Sequence, residues 1–342
     1  MKILVTGGTG FLGRRTVERL AGGHQLRLLV RPTSDRSRFP DGVSFAQGDV
    51  TDRDSLVRAC AGCDAVLHAA ALVKIMAPSE QFDRINVGGL ENVLEAARDA
   101  GVGRVVYVSS FMALGPTENG STEDGVAGQL DESGSAGDRV WINDYERTKT
   151  LSDRLAREAI AGGMPLDVVY PGVVYGPGEL TEGNIVVRHI LDLAHRRLPA
   201  LLGRPERVWS YSFVEDVAMG LEAVLERAGR GESKEGERFM LGGDNVSQGD
   251  FYATVEKVFG IRAPRLRMPD LVAKLSGALM KGAAVLTRTT PKLTPDLVDV
   301  YTHDWAYSSK KAQRQLGYHP RPLEEGLATT FEWLKAEGAW PR

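Results

Sequence analysis

Cysteine, net charge and long apolar runs are all scarce in this chain, and each shortage closes off a class of protein. Among 342 residues only Cys60 and Cys63 are cysteine. Two thiols cannot build a disulfide framework, and without companion ligands they make a poor metal site, so no metal is expected. Their Cys-x-x-Cys spacing admits a redox reading; the plainer one is two small residues at the end of a helix. Forty-two Lys and Arg against 45 Asp and Glu leave a net charge of −3, which offers nucleic acid no global attraction. The longest apolar stretch of the C-terminal part, 271–286, is interrupted by Lys274 and Lys281 and is too short to span a bilayer. No integral membrane segment is therefore expected. Met1-Lys2-Ile3-Leu4-Val5 runs straight into a glycine loop and leaves no room for a signal peptide, which points to the cytoplasm. The remaining composition, 42% hydrophobic and 25% charged, is ordinary for a globular protein of about two domains.

What is present is alternation. Short apolar runs at 3–5, 26–30, 65–67, 105–108 and 167–170 alternate with helix-length patterns such as 11–20 and 86–100. This order implies right-handed crossovers and a parallel sheet buried on both faces, a Rossmann-type doubly wound α/β fold. Between 114 and 139 the pattern lapses into a polar, glycine-rich stretch, and loops of that length are usually functional or disordered. The run 239–241 is a plausible last strand of the first domain. The division expected is a nucleotide-binding domain of 1–172 plus about 211–243. A smaller, mostly helical substrate domain takes about 173–210 plus 244–342.

Thr6-Gly7-Gly8-Thr9-Gly10-Phe11-Leu12-Gly13 follows the first strand. Glycines at 7, 10 and 13 suit a tight turn, close approach of backbone N–H groups to a pyrophosphate, and close helix–strand packing. At the end of the second strand an acid would bind a free ribose 2′-hydroxyl, whereas a base accommodates a 2′-phosphate. Arg31 stands there, with Arg14 and Arg36 able to add charge, so NADP(H) is expected in preference to NAD(H). Asp49, followed by Val50, has two compatible readings: a partner for the adenine amino group, or a helix cap.

Tyr145 and Lys149, at i and i+4, share one helix face. An ammonium near the phenol lowers its pKa, making Tyr145 a proton donor and acceptor near neutrality. Tyr307 and Lys311 have the same spacing but neither a preceding strand-end serine nor a place in the nucleotide-binding half. Tyr307 is therefore read as an exposed or core tyrosine. Ser109 and Ser110 end a strand at the carboxyl edge, where open α/β sheets bind ligands.

TGGTGFLG from Thr6, HAAA from His68, YVSS ending at Ser110 and YERTK from Tyr145 resemble the extended short-chain dehydrogenase/reductases. So do YPGVVYGPG from Tyr170 and FVEDVA from Phe213. The resemblance covers essentially the whole chain and is strongest to bacterial dihydroflavonol-4-reductase-like proteins, a group that includes sugar-epimerase-like members. It implies a catalytic Ser110–Tyr145–Lys149 set, alignment on Gly115 favouring Ser110 over Ser109. It also implies that Lys149 holds the nicotinamide ribose and that Pro171, Val173 and Val174 line the nicotinamide end. His68, Ala69 and Ala70 would meet the cofactor mainly through backbone. Asn86 would start a helix or brace the site, and the helices near Asn86 and Tyr145 would form a homodimer interface.

Two departures narrow the activity. Dehydratases of this fold carry Asp-Glu after the catalytic hydroxyl residue, where this chain has Phe111-Met112. Sugar-nucleotide epimerases carry Arg-Asp-aromatic where this chain has Trp209-Ser210-Tyr211, with Arg207 nearby. Phe111, Met112, Trp141, Trp209 and Tyr211 are read as an apolar pocket wall, Trp141 as its lid. The expected activity is NADPH-dependent reduction of a ketone or aldehyde on a small, largely apolar substrate. A sugar or nucleotide-sugar epimerase with tightly held NAD(P), and a non-catalytic NADP(H) sensor or scaffold, are the alternatives.

Overall fold

In the computed structural model, which describes residues 1–135, 137, 139–229, 236–287 and 289–341, strands and helices alternate from the first residues onward. The first units are β1 (Lys2–Thr6), α1 (Phe11–Leu20), β2 (Gln25–Val30), β3 (Ser44–Gln47), α2 (Arg53–Cys60) and β4 (Ala65–His68). Then α3 (Ser79–Phe82) passes through one π-helical turn (Asp83–Val87) into α4 (Gly88–Asp99), followed by β5 (Arg104–Val108), α5 (Asp144–Ala161) and β6 (Leu166–Pro171). The expected helix at 86–100 therefore begins earlier, and Asn86 lies in the π turn. Next come β7 (Val173–Tyr175), α6 (Ile185–Ala194), β8 (Val208–Phe213), α7 (Val214–Gly229), β9 (Arg238–Leu241) and β10 (Asp244–Ser247). The rest is helical: α8 (Gln248–Phe259), α9 (Asp270–Thr287), α10 (Pro295–Tyr301), α11 (Lys310–Leu316) and α12 (Leu323–Ala336). None of the described helices is long and apolar enough to cross a membrane.

The main sheet has the order β3-β2-β1-β4-β5-β6-β9, with every pair parallel. Consecutive β5 residues Val105 to Val108 are all buried, because helices cover both faces. One face packs Val17, Leu20, Val217 and Leu221 from α1 and α7. The other packs Leu56, Leu90, Val93 and Ala156 from α2, α4 and α5. Winding direction reverses between β1 and β4, so their carboxyl ends open the crevice where such sheets bind ligands. The two cysteines lie at and just beyond the end of α2, buried as free thiols. Burial pushes the Cys60 thiol up to about 11 and Cys63 upward too. Both stay protonated near neutrality, which leaves no thiolate for redox chemistry.

The second sheet, β10-β8-β7, pairs β7 parallel and β10 antiparallel to β8. The chain crosses to it at Gly172, where a Cβ would stand 2.5 Å from Ser212 Oγ. All of β8 belongs to this smaller sheet, so a boundary at 210/211 cuts a strand; the return crossing falls after Phe213. Asp216, at the start of α7, accepts the Arg321 backbone N–H at 2.8 Å and its guanidinium at 2.8 and 3.0 Å. That pair, its carboxylate buried and its guanidinium partly exposed, fastens the segment before α12 to the start of α7.

The polar stretch beyond Leu114 is pinned at several of its described residues. Thr117 N–H donates to Asp304 O, and Leu130 is bonded on both sides to Ala306 and Ser308. The buried Glu132 accepts the Met240 N–H at 3.2 Å, occupying the free edge of β9 that would otherwise invite strand pairing.

Candidate active site

The glycine loop is shaped by contacts that leave no space for side chains on one side and open space on the other. Gly7 has φ +73°, and a Cβ there would lie 2.5 Å from the Ala69 and Ala70 backbone after β4. A Cβ on Gly13 would stand 2.1 Å from Gly7 O. Gly10 is different: its Cβ would meet only Gly7 O, at 3.3 Å. It also serves as the N-cap of α1 without a side-chain cap, so the first-turn amides of Phe11, Leu12 and Gly13 face an open approach. That is the geometry a pyrophosphate requires. Thr6 is buried and its Oγ1 lies 2.7 Å from His68 Nδ1, tying the ends of β1 and β4 together.

Arg31 is exposed immediately after β2, with its N–H on Ser34 Oγ at 3.2 Å. Its guanidinium makes no ion pair among the described residues. Arg14 lies over Phe39 at 5.2 Å and Arg36 over Phe45 at 5.7 Å, while the two rings meet edge to face at 5.8 Å. Arg14 is also paired with Glu179 at 3.1 Å, so it is less free than its sequence position suggests. Asp49 Oδ1 accepts the Thr51 N–H and hydroxyl. The α2 cap is Asp52, which accepts from Ser55 N; Asp49 shapes the turn ahead of it. Buried Val50 gives its carbonyl to Asn92 Nδ2 at 2.9 Å.

Tyr145 enters on the first turn of α5. The Asn143 side chain caps that helix through Glu146 N–H at 2.8 Å. The fully buried Glu146 carboxylate takes Arg139 and the Ile142 N–H, an arrangement close to a capping box. Lys149, one turn on, is buried against β5: its Nζ donates to Val108 O at 3.0 Å and lies 3.4 Å from Tyr107 Oη. It stands 6.0 Å from the Tyr145 ring centroid. Ser110 caps the short helical turn after β5, its Oγ accepting the Met112 N–H at 3.2 Å, which leaves the hydroxyl proton to donate elsewhere. Ser109 instead finishes the strand, bonding Val169 O through its N–H at 2.8 Å.

The charges differ from expectation. Desolvation draws Lys149 down to about 7. Burial pushes the Tyr145 phenol upward, with the Ser110 hydrogen bond opposing. The ammonium does not depress Tyr145 in this state, because burial costs both charged forms more than their separation returns. His68 is held neutral, its pKa lowered to about 3 by burial and then by Lys149. It stacks on Tyr107 at 5.6 Å, with Nε2 buried and unpartnered.

Three supporting residues carry more of the site than their sequence context announced. Asn86 accepts Leu72 N–H at 2.7 Å and donates to Thr148 Oγ1 at 3.0 Å, clamping the loop after β4 onto α5. Its place in a π turn, a frequent mark of functional sites, was not visible in the helical spacing. The Tyr107 hydroxyl lies 3.4 Å from Lys149 Nζ, yet in the sequence the residue reads as one apolar strand residue. Tyr307 is buried, and its hydroxyl donates to Gly115 O and, at 3.1 Å, to Phe111 O. It thus anchors the serine loop, while Lys311 turns away to Arg238 O and Glu237.

The expected pocket wall divides. Trp209 Nε1 donates to His303 O at 3.2 Å and its ring meets Tyr301 at 4.7 Å. Tyr211 stacks on Phe251 at 4.6 Å and accepts from Gln248 at 3.0 Å. Both therefore belong to the core beside the smaller sheet, because α8 and α10 cover their face of β8. Met112 is buried, and Phe111 packs on Trp305 and Tyr307. Trp141 is half-buried, its indole N–H buried and without a partner. At the other end of the site, Pro171 ends β6 beside β9, and Val173 and Val174 begin β7 against Tyr211 and Ser212.

The profile of the NAD dependent epimerase/dehydratase family matches residues 3–242. Sterol demethylase protein B of Methylococcus capsulatus is 30% identical, over 99% of both chains. A protein of Synechocystis sp., provisionally named dihydroflavonol 4-reductase, is also 30% identical, over 98% of this chain and 94% of its own. The crystal structure of gox2253 superposes with a TM-score of 0.78 at 31% identity, covering 99% of both chains. The chain belongs to the NAD dependent epimerase/dehydratase family and is an NAD(P)-dependent oxidoreductase of the extended short-chain dehydrogenase/reductase type.

Proposed function

We propose that the protein is an NADPH-dependent reductase of a ketone or aldehyde carried on a largely apolar body. The observation that carries this reading is the Ser110–Tyr145–Lys149 set at the carboxyl edge beside an open glycine cradle. Residues 6–13 would hold the pyrophosphate, Arg31 and Arg36 the 2′-phosphate, and Lys149 with Pro171, Val173 and Val174 the nicotinamide end. A bound nicotinamide supplies the hydride. The chain's own part is the oxygen: Ser110 donates a hydrogen bond to the carbonyl oxygen, and Tyr145 gives it a proton as negative charge develops. Lys149, drawn down to about 7 by burial and so mostly charged only below that pH, makes the phenolate less costly once the proton has left.

Substrate class rests on what is missing for a nucleotide sugar. Arg207, the candidate diphosphate ligand, is committed to Asp304 at 3.0 Å and Glu118 at 3.4 Å, and Trp209 is turned inward. Phe111 and Trp141 remain as the apolar side of the site, with the unpartnered Trp141 N–H as a polar handle for the substrate. The name of the Methylococcus relative favours a sterol-like ring system among apolar bodies. The test is a turnover panel with NADPH and NADH against sterol ketones, aromatic aldehydes, flavanonols and nucleotide sugars. Net NADPH consumption on an apolar carbonyl supports the reading. Tightly bound NAD with no net consumption and turnover of a nucleotide sugar overturns it.

A further inference from the structure

One helix of the second domain is packed the wrong way round for a protein in water. Seven of the twelve large hydrophobic residues exposed among the described residues fall between 266 and 286. In α9, Leu271, Val272, Leu275, Leu279 and Leu286 are between 49% and 86% exposed. At 100° per residue these five lie within an arc of about 100°. The inward face is made of small residues instead. Ala273 and Ala284 are buried, and a Cβ on Gly277 would stand 2.8 Å from the Thr294 backbone on the approach to α10. The helix thus turns its small residues to the protein and its leucines to solvent.

Charge along this segment of the chain is mostly positive. Segment 261–292 holds seven Lys and Arg and one acid, Asp270, in a chain whose net charge is −3. Lys274 and Lys281 both lie along one side of the apolar arc and reach Asp299 and Asp296 of α10 at 2.5 and 3.5 Å. Arg262, Arg265 and Lys292 are exposed and make no ion pair among the described residues. An apolar stripe with unpaired bases before and after it in the chain is the pattern of a helix lying in a bilayer interface, its leucines among acyl chains and the bases among headgroup phosphates. An 18-residue helix in that plane does not need to span.

We infer that α9 docks the protein on the surface of an anionic phospholipid membrane. Asp270, its first residue, lines with Pro116, Arg139 and His303 a cleft of ≈ 630 Å³. Arg139 in turn holds Glu146, the neighbour of Tyr145. The start of α9 thus shares a cleft with the loop that precedes α5. The inference does not depend on the substrate.

The test is flotation of the full chain with vesicles of phosphatidylcholine alone and of phosphatidylcholine mixed with phosphatidylglycerol. The protein is expected to float with the mixed vesicles and much less with the neutral ones, and to be released by salt. Leu275→Ser with Leu279→Ser should reduce the floating fraction at least about tenfold, with cofactor affinity unchanged as proof of folding. Arg262→Glu with Arg265→Glu should weaken binding to the mixed vesicles alone. No flotation of the wild-type chain overturns the inference, as does equal flotation of the leucine variant. It is also overturned if the wild-type chain is a dimer that the leucine substitutions dissociate and that binds no vesicles.

Discussion

Two alanine substitutions separate the cofactor cradle from the scaffold beneath it. At Gly13 an added Cβ would stand 2.1 Å from Gly7 O and 2.8 Å from Gly7 C. Real contacts of this kind begin near 3 Å, so the Gly7–Gly10 turn must move by about an ångström, against Ala69 and Ala70 behind it. Overpacking of this order costs about 1–3 kcal/mol, a fall of roughly 2–4 °C in Tm for each kcal/mol. At Gly10 the backbone, φ −83° and ψ 172°, suits any residue, and the only protein atom near a new Cβ is Gly7 O at 3.3 Å. Gly10→Ala should therefore leave the Tm of the cofactor-free protein within about 1–2 °C of wild type. It should still weaken NADPH at least about tenfold, or about 1.4 kcal/mol, because the methyl occupies the approach to the α1 amides. Thermal melting without cofactor and calorimetric titration with NADPH read the two effects separately. Wild-type affinity in Gly10→Ala, or an unchanged Tm in Gly13→Ala, would refute the reasoning.

Arg31→Asp should reverse coenzyme preference, raising KM for NADPH at least about tenfold while improving NADH; an unchanged preference would show that another group meets the 2′-phosphate. His68 has a folded pKa of about 3, below its ordinary 6.5. Its contribution to stability is thus complete above pH 6.5 and lost as the pH falls from there toward 3. Denaturant titrations of His68→Asn across that window should show a shallower acid loss than wild type, and identical slopes would count against a neutral buried imidazole. Tyr307→Phe removes the donor to Gly115 O and Phe111 O, which costs about 1–3 kcal/mol where a buried carbonyl is left unpaired. By loosening the serine loop it should lower kcat about tenfold with KM for NADPH unchanged; a wild-type kcat would make Tyr307 a core residue only.

Local features that obey a short-range rule were legible in the sequence, and those that depend on which face meets which element were not. The glycine loop, the Tyr145–Lys149 spacing and the parallel strands follow from turn chemistry, helical period and buried β-branched runs, and the 239–241 strand returned to the sheet as expected. Trp209 and Tyr211 show the limit. Alternation along β8 tells that they share a face, but α8 and α10, far along the chain, decide that the face is interior. The Tyr145 pKa failed for a related reason: i+4 spacing brings the ammonium near but carries no information on how deeply both groups are buried. Tyr307 was discounted by its distance in sequence from Ser110, although its hydroxyl is what holds the serine loop. In α9 the sequence showed a broken apolar stretch; only packing revealed that the leucines point outward.

The central claim is that Tyr145 protonates a carbonyl oxygen while hydride arrives from a bound reduced nicotinamide. Its most direct measurement uses NADPH carrying deuterium at both C4 positions with an apolar ketone, in wild type and Tyr145→Phe. The expected result is deuterium on the carbinol carbon of the product at one label per NADPH consumed. With the proton donor removed, kcat should fall by at least about a hundredfold, within the usual range for general acid catalysis, while NADPH affinity is retained. Unlabelled product, or Tyr145→Phe turning over at the wild-type rate, would contradict the account.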